Sequence, residues 1–247
     1  MKRRVFRSVF AGVFCVVFCV PGGWAGAKGP GWIELIGKGL EGWRGDTGTW
    51  MNVGKAVAAP DGSKKIVTEP GSGILVNGPD GHTINLFSKD EYGDVEAEIG
   101  FMVPPKSNSG VYFMGRYEVQ VLDSWGVKKP EHHDCGGIYQ RWKDGKGYEG
   151  HPPRVNASKK PGEWQRFHVF FRAPRFDENG KKIKNAEFVK VIHNGIVIHE
   201  NVEVTGPTRA AAYKDEAPKG PLMLQGDHGP VAYRNIRIRP LNDPSGG

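Results

Sequence analysis

The sequence predicts an all-β protein, a sandwich of mostly antiparallel strands, on three observations. Glycine (36 residues) and proline (18) are abundant and dispersed, punctuating short runs rich in Val, Ile, Phe and Tyr. Several runs alternate apolar and polar residues with the period of two that a half-buried strand requires: Val95, Ala97 and Ile99 oppose Asp94, Glu96 and Glu98. No stretch carries three turns of amphipathic helix, a heptad pattern or an internal repeat. Strands with one apolar face must bury it against a second layer, which makes the sandwich.

Taken in order, the first 27 residues read as an export signal. Lys2, Arg3, Arg4 and Arg7 give a basic start, Val9 to Val20 is an apolar run, and Ala25-Gly26-Ala27 supplies a cleavage pattern. The run is too short to span a bilayer of about 30 Å as a helix. Bulky Phe18 before Cys19 disfavours a lipoprotein anchor. The remainder, 28–247, reads as one domain that is periplasmic or extracellular, with no membrane association once the signal is removed.

Strands are expected over 65–68, 73–76, 83–87, 94–103, 110–122, 164–172, 187–193, 196–201, 222–225 and 233–239. Asn194-Gly195 lies between two β-rich runs and marks a two-residue hairpin that needs positive φ. Segments 127–131 and 144–161, polar and rich in Pro and Gly, read as loops that could frame a site.

Charge and cysteine exclude some classes. Loss of the four basic residues in the signal lowers the formal charge from +7 to +3, so the bulk charge does not support a nucleic-acid partner. Cys15 and Cys19 leave with the signal and Cys135 stands alone, so the core and not a disulfide must hold the exported chain. His132-His133-Asp134-Cys135 invites a metal reading, but no second Cys/His cluster has structural-zinc spacing. No metal ligand is assigned and no cofactor is expected. A divalent ion assembled from distant positions stays the open alternative.

One segment stands out. In "SNSGVYFMGRYEVQVLDSWG", residues 107–126, Arg116, Glu118 and Gln120 alternate with Tyr117, Val119 and Val121. If the second set packs between the sheets, the first lines the concave face. From Asn108-Ser109-Gly110 through "GRYEVQVLDSWG", the chain resembles the 3-keto-disaccharide hydrolase domain family. Five blocks resemble that family in the same order: "GKGLEGWRG", "EYGDVEAEIGFMVPPKSNSGVYF", "PGEWQRFHVFFRAPRFDENG", "VIHNGIVIHENVEVTGPT" and "PLMLQGDHGPVAYRNIRIRPL".

The resemblance implies a concanavalin A-like jelly roll of two curved antiparallel sheets, exported by a bacterium and acting on glycosides whose sugar is oxidised to a ketone at C3. Such a ketone acidifies the C2 proton, so cleavage by lyase or hydrolase chemistry needs a base, an oxyanion partner and an acid. Glu118, Arg116 and His228 are the catalytic candidates. Gln120, Asp123, Trp125, Gln225, Glu98 and Asn85 are the substrate-binding candidates, Glu98 and Asn85 being placed on neighbouring strands. Asp123 could equally cap a turn, and Trp125 could equally pack in a loop. Asn108-Ser109-Gly110 reads as turn-setting. The competing function is a non-catalytic carbohydrate-binding module of the same fold.

Overall fold

The computed structural model describes residues 31–37 and 39–241, and the expected export signal at 1–27 lies outside them. Among the described residues there are seventeen strands and no helix. In chain order they are β1 (Ile33–Glu34), β2 (Trp43–Arg44), β3 (Met51–Ala58), β4 (Ile66–Val76), β5 (Leu86–Tyr92), β6 (Val95–Met102), β7 (Asn108–Phe113), β8 (Tyr117–Leu122) and β9 (Arg141–Lys143). The rest are β10 (Lys146–Tyr148), β11 (Gln165–Arg172), β12 (Arg175–Phe176), β13 (Lys182–Lys184), β14 (Ala186–His193), β15 (Ile196–Val204), β16 (Gly220–Leu224) and β17 (Ala232–Pro240).

Two antiparallel sheets pack face to face as a jelly-roll sandwich. The larger runs β15-β14-β11-β6-β17-β4-β3, with β1 added on β17; the smaller runs β2-β5-β16-β7-β8. Alternation decides which face goes inward. On β6 the side chains of Val95, Ala97, Ile99 and Phe101 are buried between the sheets, while Glu96 and Glu98 point away from them. Phe113 of β7 meets Phe171 of β11 and Phe188 of β14 at ring distances of 5.3 and 5.5 Å, and Tyr117 of β8 meets Phe171 at 5.5 Å. This aromatic cluster ties the two sheets together. Truncating one such ring would cost about 3–5 kcal/mol.

The Asn194-Gly195 hairpin forms as expected: φ is 51° and 87° at the two turn residues, and His193 pairs with Ile196. The expected strand over 110–122 is two strands. Met114 and Gly115 both take positive φ (56° and 64°), so the chain reverses there, and β7 pairs antiparallel with β8. The β-rich residues on either side (Val111, Tyr112, Phe113, Tyr117 and Val119) conceal this turn, whose only local mark is Gly115. The expected strands at 65–68 and 73–76 merge into β4, which pairs with β3 across a register shift between Val53 and Lys55. β3, the β9–β10 hairpin and the β12–β13 ribbon were not anticipated.

Glu98 and Asn85 are not on neighbouring strands. The chain crosses from one sheet to the other between β5 and β6, which puts Asn85, just before β5, at the smaller sheet and Glu98 in the larger one. On that outer face Glu98 opposes Arg237 and is ion-paired to it at 2.8 Å. It belongs to a charged ladder in which Glu96 bonds His168 at 2.8 Å and also pairs with Arg239.

Candidate active site

Tyr117, Val119 and Val121 are fully buried against the core, so Glu118 and Gln120 face outward from the smaller sheet. There they meet the matching face of β7. The register sets Tyr112 opposite Glu118, Gly110 opposite Gln120 and Asn108 opposite Leu122. These side chains open into a pocket of about 300 Å³ lined by Asn108, Tyr112, Glu118, Gln120, Tyr139, Arg209, Ala210, Gln225 and His228.

β8 would be a bare sheet edge, and bonds from distant loops cover it while building the pocket wall. Gly136 N–H donates to the Gln120 carbonyl at 2.8 Å, Gln120 N–H to the Gly137 carbonyl at 2.9 Å, and Tyr139 N–H to the Glu118 carbonyl at 3.2 Å. Thr208 completes the edge: its hydroxyl accepts from Glu118 N–H at 3.2 Å, and its N–H donates to the Arg116 carbonyl at 2.9 Å. Tyr139 and Arg209 are thereby held in the pocket wall. On the other flank, Gln225 N–H donates to the Gly110 carbonyl at 2.9 Å, and the Ser109 hydroxyl donates to the Gln225 carbonyl at 2.8 Å.

Glu118 lies at the bottom of the pocket, 3% exposed. Burial strips its carboxylate of water and pushes its pKa up to about 8, although the Tyr112 phenol hydrogen-bonds to it and favours the ionised form. Tyr112 is held well above the usual phenol range, first by burial and then by Glu118 itself. Gly110 makes room for this arrangement. A Cβ there would fall well inside van der Waals contact with a Glu118 carboxyl oxygen.

Two buried oxygens at the pocket, Asn108 Oδ1 and Gln120 Oε1, have no hydrogen-bond partner among the described residues. Gln120 spends its amide N–H on the His133 carbonyl at 3.2 Å. Unmet acceptors in a polar pocket fit a hydroxylated ligand, since leaving them unmade costs about 1–3 kcal/mol each. His228 contacts Asp227, Nδ1 to Oδ1, at 2.5 Å. A carboxylate only accepts, so in the neutral ring the proton sits on Nδ1 and Nε2 is the acceptor.

The structure brings Glu118, Gln120, Gln225 and His228 together and places the other sequence candidates elsewhere. Arg116 lies in the β7–β8 turn, outside the pocket lining. Its guanidinium donates to the Met114 and Asp215 carbonyls at 2.9 and 2.5 Å and stacks on Tyr213. The turn explains this: the reversal ends at Arg116 and turns its side chain toward the 213–215 segment. Asp123 caps its own turn, accepting from the Lys106 and Trp125 N–H groups at 2.9 and 3.3 Å. Trp125 is 53% exposed beside Lys160 and lies outside the lining residues. Asn85 accepts from Gly226 N–H at 3.1 Å and supports the Gln225 loop from behind.

Tyr112, Tyr139 and Arg209 were missed, and so was Asn108, which opens strand β7 and lines the pocket where a turn-setting role was expected. Only Tyr112 had a local signal, since it shares the face of Asn108 and Gly110. Among the described residues no group of three or more His, Cys, Asp or Glu side chains is placed to hold a metal ion. Asp134 instead accepts from the Ser124 hydroxyl and the Glu131 N–H, at 2.9 and 2.8 Å. Cys135 is a buried free thiol pushed up to about 12 by desolvation.

A jelly-roll sandwich with a polar, acid-bearing pocket on one sheet's outer face has the build of a carbohydrate-active domain. Residues 31–239 match the profile of the 3-keto-alpha-glucoside-1,2-lyase-like domain, and the chain belongs to that family. Three solved structures from Parabacteroides distasonis ATCC 8503, each with a provisional glycosyl hydrolase assignment, share the fold. The first is 26% identical with a TM-score of 0.64, covering 86% of this chain and 84% of that one. The second is 24% identical with a TM-score of 0.55, over 85% and 99% of the two chains. The third is 18% identical with a TM-score of 0.51, over 86% and 95%. No curated protein matches.

Proposed function

We propose that this protein is an exported enzyme that cleaves 3-keto glycosides by elimination across C1 and C2. What carries the reading is Glu118, a carboxyl group buried at the bottom of a polar pocket and pushed up to about 8 by desolvation, in a chain of this family. The C3 ketone makes the C2–H bond acidic. A base takes that proton and the electron pair moves onto the C3 oxygen as an enolate. As the ketone re-forms, the C1–C2 double bond forms and the C1–O bond breaks. The departing oxygen takes a proton and leaves as an alcohol. Water can add to the double bond afterwards.

The pocket holds one group suited to each proton. His228 Nε2, freed by the Asp227 contact to Nδ1, is the base. Glu118 is the acid, because its environment keeps it protonated near pH 7 while an ordinary carboxyl group would be ionised. The unmet oxygens of Asn108 and Gln120 accept from sugar hydroxyls. Export through residues 1–27 is part of the proposal and rests on the basic-apolar-small pattern of that segment.

Incubation of the purified protein with a 3-keto glucoside and with its unoxidised parent tests the reading. Release of the alcohol from the 3-keto compound alone is expected. Equal release from both, or binding with no release from either, contradicts it; the second result would favour a carbohydrate-binding module.

A further inference from the structure

The pocket holds a cation with no acidic partner. Arg209 lines it, and among the described residues its side chain makes no hydrogen bond or ion pair; its guanidinium lies over the Trp142 ring at 3.9 Å. The other arginines on this side are engaged: Arg116 by Asp215 at 3.4 Å and Arg141 by Glu149 at 3.3 Å. Arg209 is also held in place. Its N–H donates to the Gln140 carbonyl at 2.8 Å, Thr208 before it is bonded to β8, and Ala212 N–H donates to the Gly115 carbonyl at 3.0 Å. Ala210 takes a φ of 64° in this clamped turn, a left-handed conformation that costs a non-glycine residue about 1 kcal/mol or more.

Position within the pocket says what this cation can read. The scissile bond must sit by Glu118, which is buried at the bottom. Arg209 is exposed and Trp142, on the β9–β10 hairpin, is 44% exposed, so both stand at the rim. With the sugar ring at the bottom, the portion of a glycoside that reaches the rim is its leaving group. Neither nearby carboxyl group reaches Arg209: Glu118 is buried at the bottom of the pocket, and Asp227 turns to His228 at 2.5 Å.

We infer that the pocket selects glycosides whose leaving group carries a carboxylate, bound by Arg209 against Trp142; this rests on the glycoside reading above. A guanidinium offers a fixed fork of donors that matches a carboxylate, and the ring beneath lowers the entropy lost on binding. An arginine stacked on an aromatic ring also presents a flat surface for a planar leaving group.

The test compares two 3-keto glucosides, one of phenol and one of 4-hydroxybenzoate, by calorimetry in the Glu118→Gln background so that neither turns over. The carboxylated ligand is expected to bind about tenfold tighter, the ratio shrinking in 0.5 M salt as charge pairing at an exposed rim requires. Adding Arg209→Gln brings the ratio to about one, and Arg209→Lys retains part of it. A ratio near one before Arg209 is changed, a ratio that survives Arg209→Gln, or no binding of either ligand overturns the inference. So does a preference that follows a carboxylate at C6 of the sugar and not one on the leaving group. Failure of the unmodified protein to cleave either compound, with the binding ratio intact, counts against the elimination chemistry and leaves the inference standing.

Discussion

Tyr112 stands directly across the β7–β8 hairpin from Glu118, and its phenol reaches the buried carboxyl group. This cross-strand pair sets the place of the proposed acid, and burial sets its protonation state. Desolvation dominates the shift to about 8, so the group is neutral at pH 7 in spite of the phenol's contribution.

Replacing Glu118 with Gln keeps the shape and removes the transferable proton. Turnover of a 3-keto glucoside should fall by about 10²–10⁴-fold, the usual range for a general acid. Stability should not fall with it. A carboxyl group whose folded pKa is raised above its unfolded value adds stability that is full below about 4.5 and is lost as pH rises through about 8. The variant lacks that loss, so its melting temperature at pH 8.5 should equal or exceed that of the unmodified protein. A large drop in melting temperature with turnover unchanged would assign Glu118 a structural role.

The same group sets the alkaline limb of the pH–rate profile. An acid must be protonated to act, so kcat should decline as pH rises through about 8. Steady-state rates between pH 6 and 10 check this. A kcat that rises through that range would make Glu118 the base.

Gly110 carries no functional group, yet Gly110→Ala should be nearly as damaging as loss of the acid. The added Cβ collides with the Glu118 carboxyl group and the Tyr112 ring, and the rigid hairpin can only answer by moving them. A displacement near 1 Å costs about 10²-fold in rate. Kinetics of this variant, with its circular dichroism unchanged, would separate displacement from unfolding; full activity would show that the pair does not need its present position.

The alternation of β8 was legible in the sequence, and it correctly sends Tyr117, Val119 and Val121 inward and Glu118 and Gln120 outward. The Asn194-Gly195 hairpin was legible too, because those two residue types are chosen for positive φ. The reversal at Met114-Gly115 was not. Methionine has no preference for that backbone, and one glycine between β-rich runs reads as easily as a bulge within a single strand. Missing it extended the polar row to Arg116, which the turn sends to the 213–215 segment. Tyr139 and Arg209 lay beyond local reading altogether. They join the pocket wall because Tyr139 and Thr208, on separate stretches of the chain, bond the β8 edge, and no residue spacing encodes those bonds.

Two histidines buried away from the pocket should govern acid stability. Desolvation depresses His193 to about 3 and His199 to about 4. His193 Nδ1 has no partner among the described residues, while His199 Nε2 meets the Gly136 carbonyl at 2.8 Å. Depressed folded values mean that their contribution is present above about 6.5 and is lost as pH falls toward 4 and 3. Urea midpoints should therefore drop between pH 7 and 4, and His199→Gln should flatten that slope. A midpoint independent of pH in this window would show that neither histidine is held neutral.

Elimination requires that the C2 proton of a 3-keto glycoside be removed before the C1–O bond breaks. A 3-keto glucoside bearing deuterium at C2 distinguishes this order. The label should be absent from the sugar product, and kcat/KM should fall several-fold relative to the protonated compound. Retention of deuterium at C2 with an unchanged rate would mean that the glycosidic bond is broken without elimination.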